Sequence, residues 1–147
     1  MNSALLEKFE SSRQRRVPAR FKNVGAGWRE IGGRRIYFRS RWESNYARFL
    51  QWRLERGEIL EWDHEPEKFK FSLPCGKRSY LPDFRVKQKN GDYVFCEVKG
   101  FNDWRSQRKL AWMKKFFPTV KLFLADGKWF KANSRRLAAQ IPGWEKA

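Results

Sequence analysis

An α/β fold, a mixed β-sheet with helices on its faces, is predicted for this sequence by three observations. Trp42, Tyr46, Phe49, Leu50 and Arg53 recur at helical spacing, which predicts a helix over 41–56. Asn90-Gly91 separates two apolar runs, 81–88 and 92–99, in the pattern of a β-hairpin. A second helical stretch, 104–117, then leads into the continuous apolar run "VKLFLA" at 120–125. The order strand, helix, strand predicts a parallel crossover.

In chain order, residues 1–24 are basic and lack an apolar period, so they are predicted to be a mobile arm preceding one domain over 25–147. "WREIGGRRIYF" (28–38) alternates on both sides of Gly32-Gly33 and predicts a hairpin. Ser40 can cap the 41–56 helix and Gly57 can end it. "EILEW" and "KFKFSL" predict short strands on either side of Pro66. Asn102 or Asp103 can cap the 104–117 helix, which carries Leu110, Met113, Phe116 and Phe117 and stops at Pro118. Asp126-Gly127 is expected to turn the chain into "KWF", with a last short helix at 133–140.

The chain has 147 residues, 41% of them hydrophobic, with 17% aromatic and eight tryptophans, enough for a folded core. It has no apolar run long enough for a transmembrane helix, and its start has no secretory h-region. Cys75 and Cys96 form neither a disulfide framework nor a metal-type pair, so a reduced, cytoplasmic setting is expected. Net charge is +17 and unevenly spread: residues 1–41 carry +8, residues 101–147 carry +8, and residues 42–100 only +1. Such a basic domain suits nucleic acid, whose phosphates give affinity through counterion release; a ribosomal-type or membrane-surface protein is the alternative. Arg34 and Arg35, with Arg105, Arg108 and Lys109 on the second helix, are candidate phosphate contacts. A solvated face is the duller reading.

The central hairpin carries the chemistry. Alternation puts Tyr93, Phe95, Glu97 and Lys99 on one face of the second strand, and Val94, Cys96 and Val98 on the other. Charged groups thus share a face with aromatics. Cutting a phosphodiester requires an activated water and neutralisation of charge on the phosphate, and a hard divalent cation held by oxygen ligands supplies both. Asp83, Glu97 and the Val98 carbonyl are candidate ligands, and Lys99 can orient water and stabilise developing charge. This requires a particular register. A two-residue loop would put Asp83 and Glu97 on opposite faces, whereas a three-residue loop, Lys89-Asn90-Gly91 with Gly91 left-handed, puts them opposite one another on one face.

"Pro82-Asp83 … Glu97-Val98-Lys99" resembles the PD-(D/E)xK nuclease signature, and the strand, turn, strand, helix order is similar to the restriction-endonuclease-like core. The layout "GGRRIYFRSRWESN … YLPDF … CEVKG" also resembles phage endonuclease I-type Holliday junction resolvases and the nuclease subunits of some transposases. The likeness spans about residues 33–125. It implies an endodeoxyribonuclease using Mg²⁺, with Mn²⁺ able to substitute, acting on DNA, in particular branched DNA, and leaving a 5′-phosphate. Asp83 and Glu97 would be metal ligands, Glu43 a ligand or metal-water contact, and Lys99 the catalytic lysine. It also implies a phage or mobile-element origin and a homodimer, whose interface is expected within 1–38. The alternatives are a catalytically silent nucleic-acid-binding module on the same fold, or a nuclease subunit of a transposition or packaging assembly.

Each residue has a structural reading too. Ser40-x-x-Glu43 is a capping box, and capping and catalysis are expected to exclude one another at Glu43. Asp83 can be a turn residue, and Glu97 and Lys99 a surface ion pair. His64, the only histidine, is expected in a loop or in packing; its being alone argues against histidine-pair metal sites and HNH-type chemistry. Trp28, Trp104 and Trp129 are read as packing residues, with base stacking the alternative.

Overall fold

The computed structural model describes residues 25–100 and 103–146. The predicted arm, 1–24, and the candidate cap Asn102 lie outside the described residues. A first hairpin, β1 (Gly27–Ile31) and β2 (Arg34–Phe38), pairs Ile31 with Arg34 across a two-residue loop. Such a loop needs left-handed backbone twice, and Gly32 (φ 60°) and Gly33 (φ 74°) provide it.

Next comes α1 (Arg41–Glu55), the predicted helix to within a residue. The Ser40 side chain accepts from the Glu43 N–H at 3.1 Å, and Gly57 closes the last turn with its N–H on the Leu54 carbonyl at 3.0 Å. The β3 strand (Ile59–His64) precedes a second hairpin, β4 (Phe69–Leu73) and β5 (Gly76–Tyr80). Periodicity gave no sign of β5: in "GKRSY" only Tyr80 is buried, so no alternation marks it.

The central hairpin is β6 (Phe84–Gln88) and β7 (Tyr93–Lys99). Phe84 pairs with Cys96 and Lys87 with Tyr93, so Asp83 falls opposite Glu97. The Gln88 N–H donates to the Asp92 carbonyl at 2.8 Å, and Gly91 has φ 90°. The loop is therefore the three-residue one, with Gly91 at the bulge. Leu81 and Pro82, included in the expected first strand, precede it. The α2 helix (Trp104–Phe116), capped by Asp103, leads to β8 (Lys121–Asp126), which runs parallel to β7.

The last helix, α3 (Gly127–Gln140), corrects the expected turn and short helix at 133–140. Asp126 does not turn the chain into a coil; its side chain accepts from the Trp129 N–H at 3.0 Å and caps a helix that starts at once.

Strands β3, β6, β7 and β8 form one mixed sheet in that order, with β7–β8 its parallel pair. One face buries Phe84, Val86, Cys96 and Ala125 against Tyr46, Ala47 and Leu50 of α1 and Phe130 of α3. Beyond the other face, Phe71 of β4 and Tyr80 of β5 pack with Met113 of α2, and Phe69 meets Phe95 of β7 edge-on at 5.0 Å. Both faces of β7 are thus covered, which explains the aromatics beside its charges. None of the described helices is long and apolar enough to cross a membrane.

Candidate functional site

Three carboxylates that are distant in sequence are buried here: Glu43 at 3%, Asp83 at 4% and Glu97 at 7% exposure. Buried carboxylates need partners, and the partners define the site. Asp83 enters β6 behind Pro82; its Oδ2 accepts from the Val98 N–H and its Oδ1 from Arg39, both at 2.8 Å. Glu97 accepts from the Tyr80 hydroxyl at 2.8 Å on Oε2, and Lys99 Nζ lies 3.1 Å from its Oε1. Glu43, in the first turn of α1, takes the Arg39 N–H at 2.8 Å on Oε2, while its Oε1 lies 2.8 Å from His64 Nε2.

Capping and site chemistry therefore do not exclude each other at Glu43. One oxygen holds the helix start, on the N–H of Arg39 rather than that of Ser40, and the other faces the cluster. Because an ionised carboxylate only accepts, His64 donates through Nε2. Burial would raise the Glu43 pKa; the His64 bond, then Arg39 and the backbone N–H, hold it below the ordinary range. Asp83 goes the other way. Burial first, then the charges of Glu97 and Glu43, push its carboxyl well above its ordinary value, against the Val98 N–H and Arg39. Environments that separate the pKa values of neighbouring carboxylates are a mark of functional sites.

Arg39 was not among the expected site residues. Its Nη2 lies 2.8 Å from Asp83 Oδ1, 3.4 Å from Glu65 Oε1 and 3.9 Å from Glu43 Oε1. Burial opposes its charge, and the fields of Glu43, Asp83, Glu65 and Glu97 more than restore it. His64, expected in a loop or in packing, ends β3 and packs between Phe38 and Phe84, with centroids at 4.9 and 5.4 Å, and it also orients Glu43. Ligand atoms of Glu43, His64 and Glu65 all lie within 4.8 Å of one another. Tyr80 was missed as well, along with the strand that carries it. Neither residue ends an apolar run, since Asp63 precedes His64 and Ser79 precedes Tyr80, so no local pattern marked them.

The expected phosphate contacts divide. Arg34 lies over the Trp62 ring at 3.9 Å and donates to the Trp62 carbonyl at 3.2 Å, so packing occupies it. Arg35 stacks on Trp28 at 4.6 Å. Arg105, Arg108 and Lys109 are exposed on α2. Of the three tryptophans, Trp28 meets Tyr37, and Trp129 meets Tyr46, Phe49 and Phe130, as packing predicts. Trp104 does not follow them: it is 63% exposed, because its position on α2 faces away from buried Met113. Cys96 is core, with its thiol pushed up to about 11 by burial.

Four carboxylates, Glu43, Glu65, Asp83 and Glu97, thus stand against two cationic side chains, Arg39 and Lys99. The carboxylates outnumber these cations by two, and the donors are hard oxygens. That set fits a divalent cation. No protein-family model matches this chain, and no curated protein matches it.

Proposed function

We propose that the protein is a metal-dependent DNA endonuclease with a restriction-endonuclease-like core, selective for branched DNA. The observation that carries this reading is the burial of Glu43, Asp83 and Glu97 beside two cations, Arg39 on Glu43 and Asp83 and Lys99 on Glu97. Out of water, the charges of Glu97 and Glu43 disfavour ionised Asp83, and a bound cation would relieve that repulsion. Asp83 and Glu97 would be the principal ligands of Mg²⁺ or Mn²⁺, with Glu43 and the Val98 carbonyl completing the set. When bound, the ion supplies the positive charge that polarises water and neutralises the phosphate under attack.

The chain's own residues do the rest. Lys99 is held beside Glu97 at 3.1 Å, where its ammonium can orient a water and stabilise charge developing on the phosphoryl oxygens. Tyr80 and His64 fix the rotamers of Glu97 and Glu43. Arg39 supplies a second cation, held by Asp83 at 2.8 Å on a side chain that is 60% exposed. Both strands of a duplex must be cut to resolve a branch, so the active form is proposed to be a homodimer.

The test is nicking of supercoiled plasmid and cutting of a synthetic four-way junction with Mg²⁺ or Mn²⁺. Wild type is expected to cut. Asp83→Ala and Lys99→Ala are expected to lose at least about 100-fold in rate while still binding DNA. Wild-type protein that binds DNA but cuts neither substrate would move the reading to a silent binding module.

A further inference from the structure

One aromatic stands apart from every other tryptophan in the fold. Trp104 opens α2 five positions after Lys99 and is 63% exposed. The Arg105 and Arg108 guanidinium carbons lie 5.3 and 5.4 Å from its ring, and Arg108 also reaches the Trp112 ring at 5.6 Å. Trp104, Arg108 and Lys115 share one side of the helix by spacing, while Met113 on the opposite side is fully buried. The helix has five basic residues and no acidic one. Asp103, just before it, is spent on the cap: its Oδ1 accepts the Ser106 N–H at 2.8 Å.

We propose that Trp104, braced by Arg105 and Arg108, is a stacking platform for an unpaired base of the DNA substrate, next to the cleavage centre. A single exposed aromatic is ordinary. An aromatic ring flanked by guanidinium groups on a uniformly cationic face is the arrangement that holds single-stranded nucleic acid, because every base offers a π-face and every nucleotide a phosphate. Fully paired duplex cannot use it, since its bases are stacked on each other. The proposal rests on the nuclease reading for its purpose and explains why the substrate would be branched: junctions and flaps present unpaired bases, plain duplex does not.

The experiment measures binding with Ca²⁺ in place of Mg²⁺, to prevent cutting, at one fixed salt concentration. The probes are a flap oligonucleotide with 2-aminopurine in its unpaired strand and a fully paired duplex of the same sequence. Wild type is expected to quench the 2-aminopurine. Trp104→Ala is expected to abolish the quench and lose about 5- to 100-fold in flap affinity, with duplex affinity little changed, and Trp104→Phe to retain most of both. Equal losses on flap and duplex, or no loss on either, would overturn the platform. So would loss of self-association in Trp104→Ala at unchanged DNA affinity, because the ring would then belong to a protein contact. Since Trp104 is exposed, thermal unfolding of the variant should match wild type. Wild type that quenches the probe but never nicks plasmid with Mg²⁺ would sink the nuclease reading and leave this one standing.

Discussion

Asp83 shows at the scale of one residue what the site costs the fold. Burial and two neighbouring carboxylates disfavour its ionised form, so its pKa is raised on folding. Between the unfolded and folded values, the folded state binds more protons, and stability falls as pH rises through that window. Asp83→Asn removes the penalty. Without added metal at neutral pH it is expected to unfold about 0.5–2 kcal/mol later than wild type, with the gain vanishing in acid, as thermal melts across pH would show. The same variant should lose nicking. Asp83, Glu97 and Lys99 were legible because strand alternation assigns faces once a loop length is chosen. Arg39 and His64 were not. Their roles come from groups on other elements, and nothing local in the sequence marks an arginine as the hub of three carboxylates.

Among the elements, the β6–β7 loop matters most, since one residue more or fewer would send Glu97 to the opposite face from Asp83. Gly91 sets it, at φ 90° and with no atom within 4 Å of where a side chain would begin. Gly91→Ala therefore meets no steric clash, only backbone strain, and is expected to cost about 1 kcal/mol by urea unfolding. A loss several times larger would mean that the register itself had changed. Helix α1 and the hairpins at Gly32-Gly33 and Asn90-Gly91 were readable from caps and turn residues, whose preferences are local. Strand β5 was not, because its pairing with β4 and burial of Tyr80 alone are decided by what lies across from it. Helix α3 began earlier than its apolar spacing suggested, because the Asp126 cap outweighed the turn tendency of Asp126-Gly127.

At the scale of the whole fold, Glu145 ties the segment after α3 back onto β1 and α1. Glu145 receives Arg29 at 2.9 and 2.8 Å, Arg48 at 2.6 Å and the Ser44 hydroxyl at 2.8 Å. Asn45 donates to the Glu145 carbonyl and accepts its N–H, which accounts for buried Ser44 and Asn45 on an otherwise apolar helix face. Burial would raise the Glu145 carboxyl; the Arg29, Arg48 and Ser44 bonds outweigh it and hold it at about 2, below the ordinary 4.5. A depressed carboxylate contributes stability that is full above its unfolded pKa and lost as pH falls through the folded one. Glu145→Gln is thus expected to be less stable than wild type above pH 4.5, with the difference shrinking to nothing near pH 2. Chemical unfolding at stepped pH checks this. A pH-independent difference would mean that shape, not charge, holds the tail.

By itself the sequence determined the α/β class, two of the three hairpins, two of three helices and the two registers between which Asp83 and Glu97 had to choose, because periodicity, caps and glycine turns act over a few residues. Only the tertiary structure decided that Asp83 falls opposite Glu97, that both faces of β7 are covered, that Arg39 and His64 join the acidic cluster, that Trp104 faces solvent and that Glu145 ties Arg29, Ser44 and Arg48 together. Those outcomes depend on long-range packing and electrostatics, where the partner of a charge or ring is chosen by the fold as a whole.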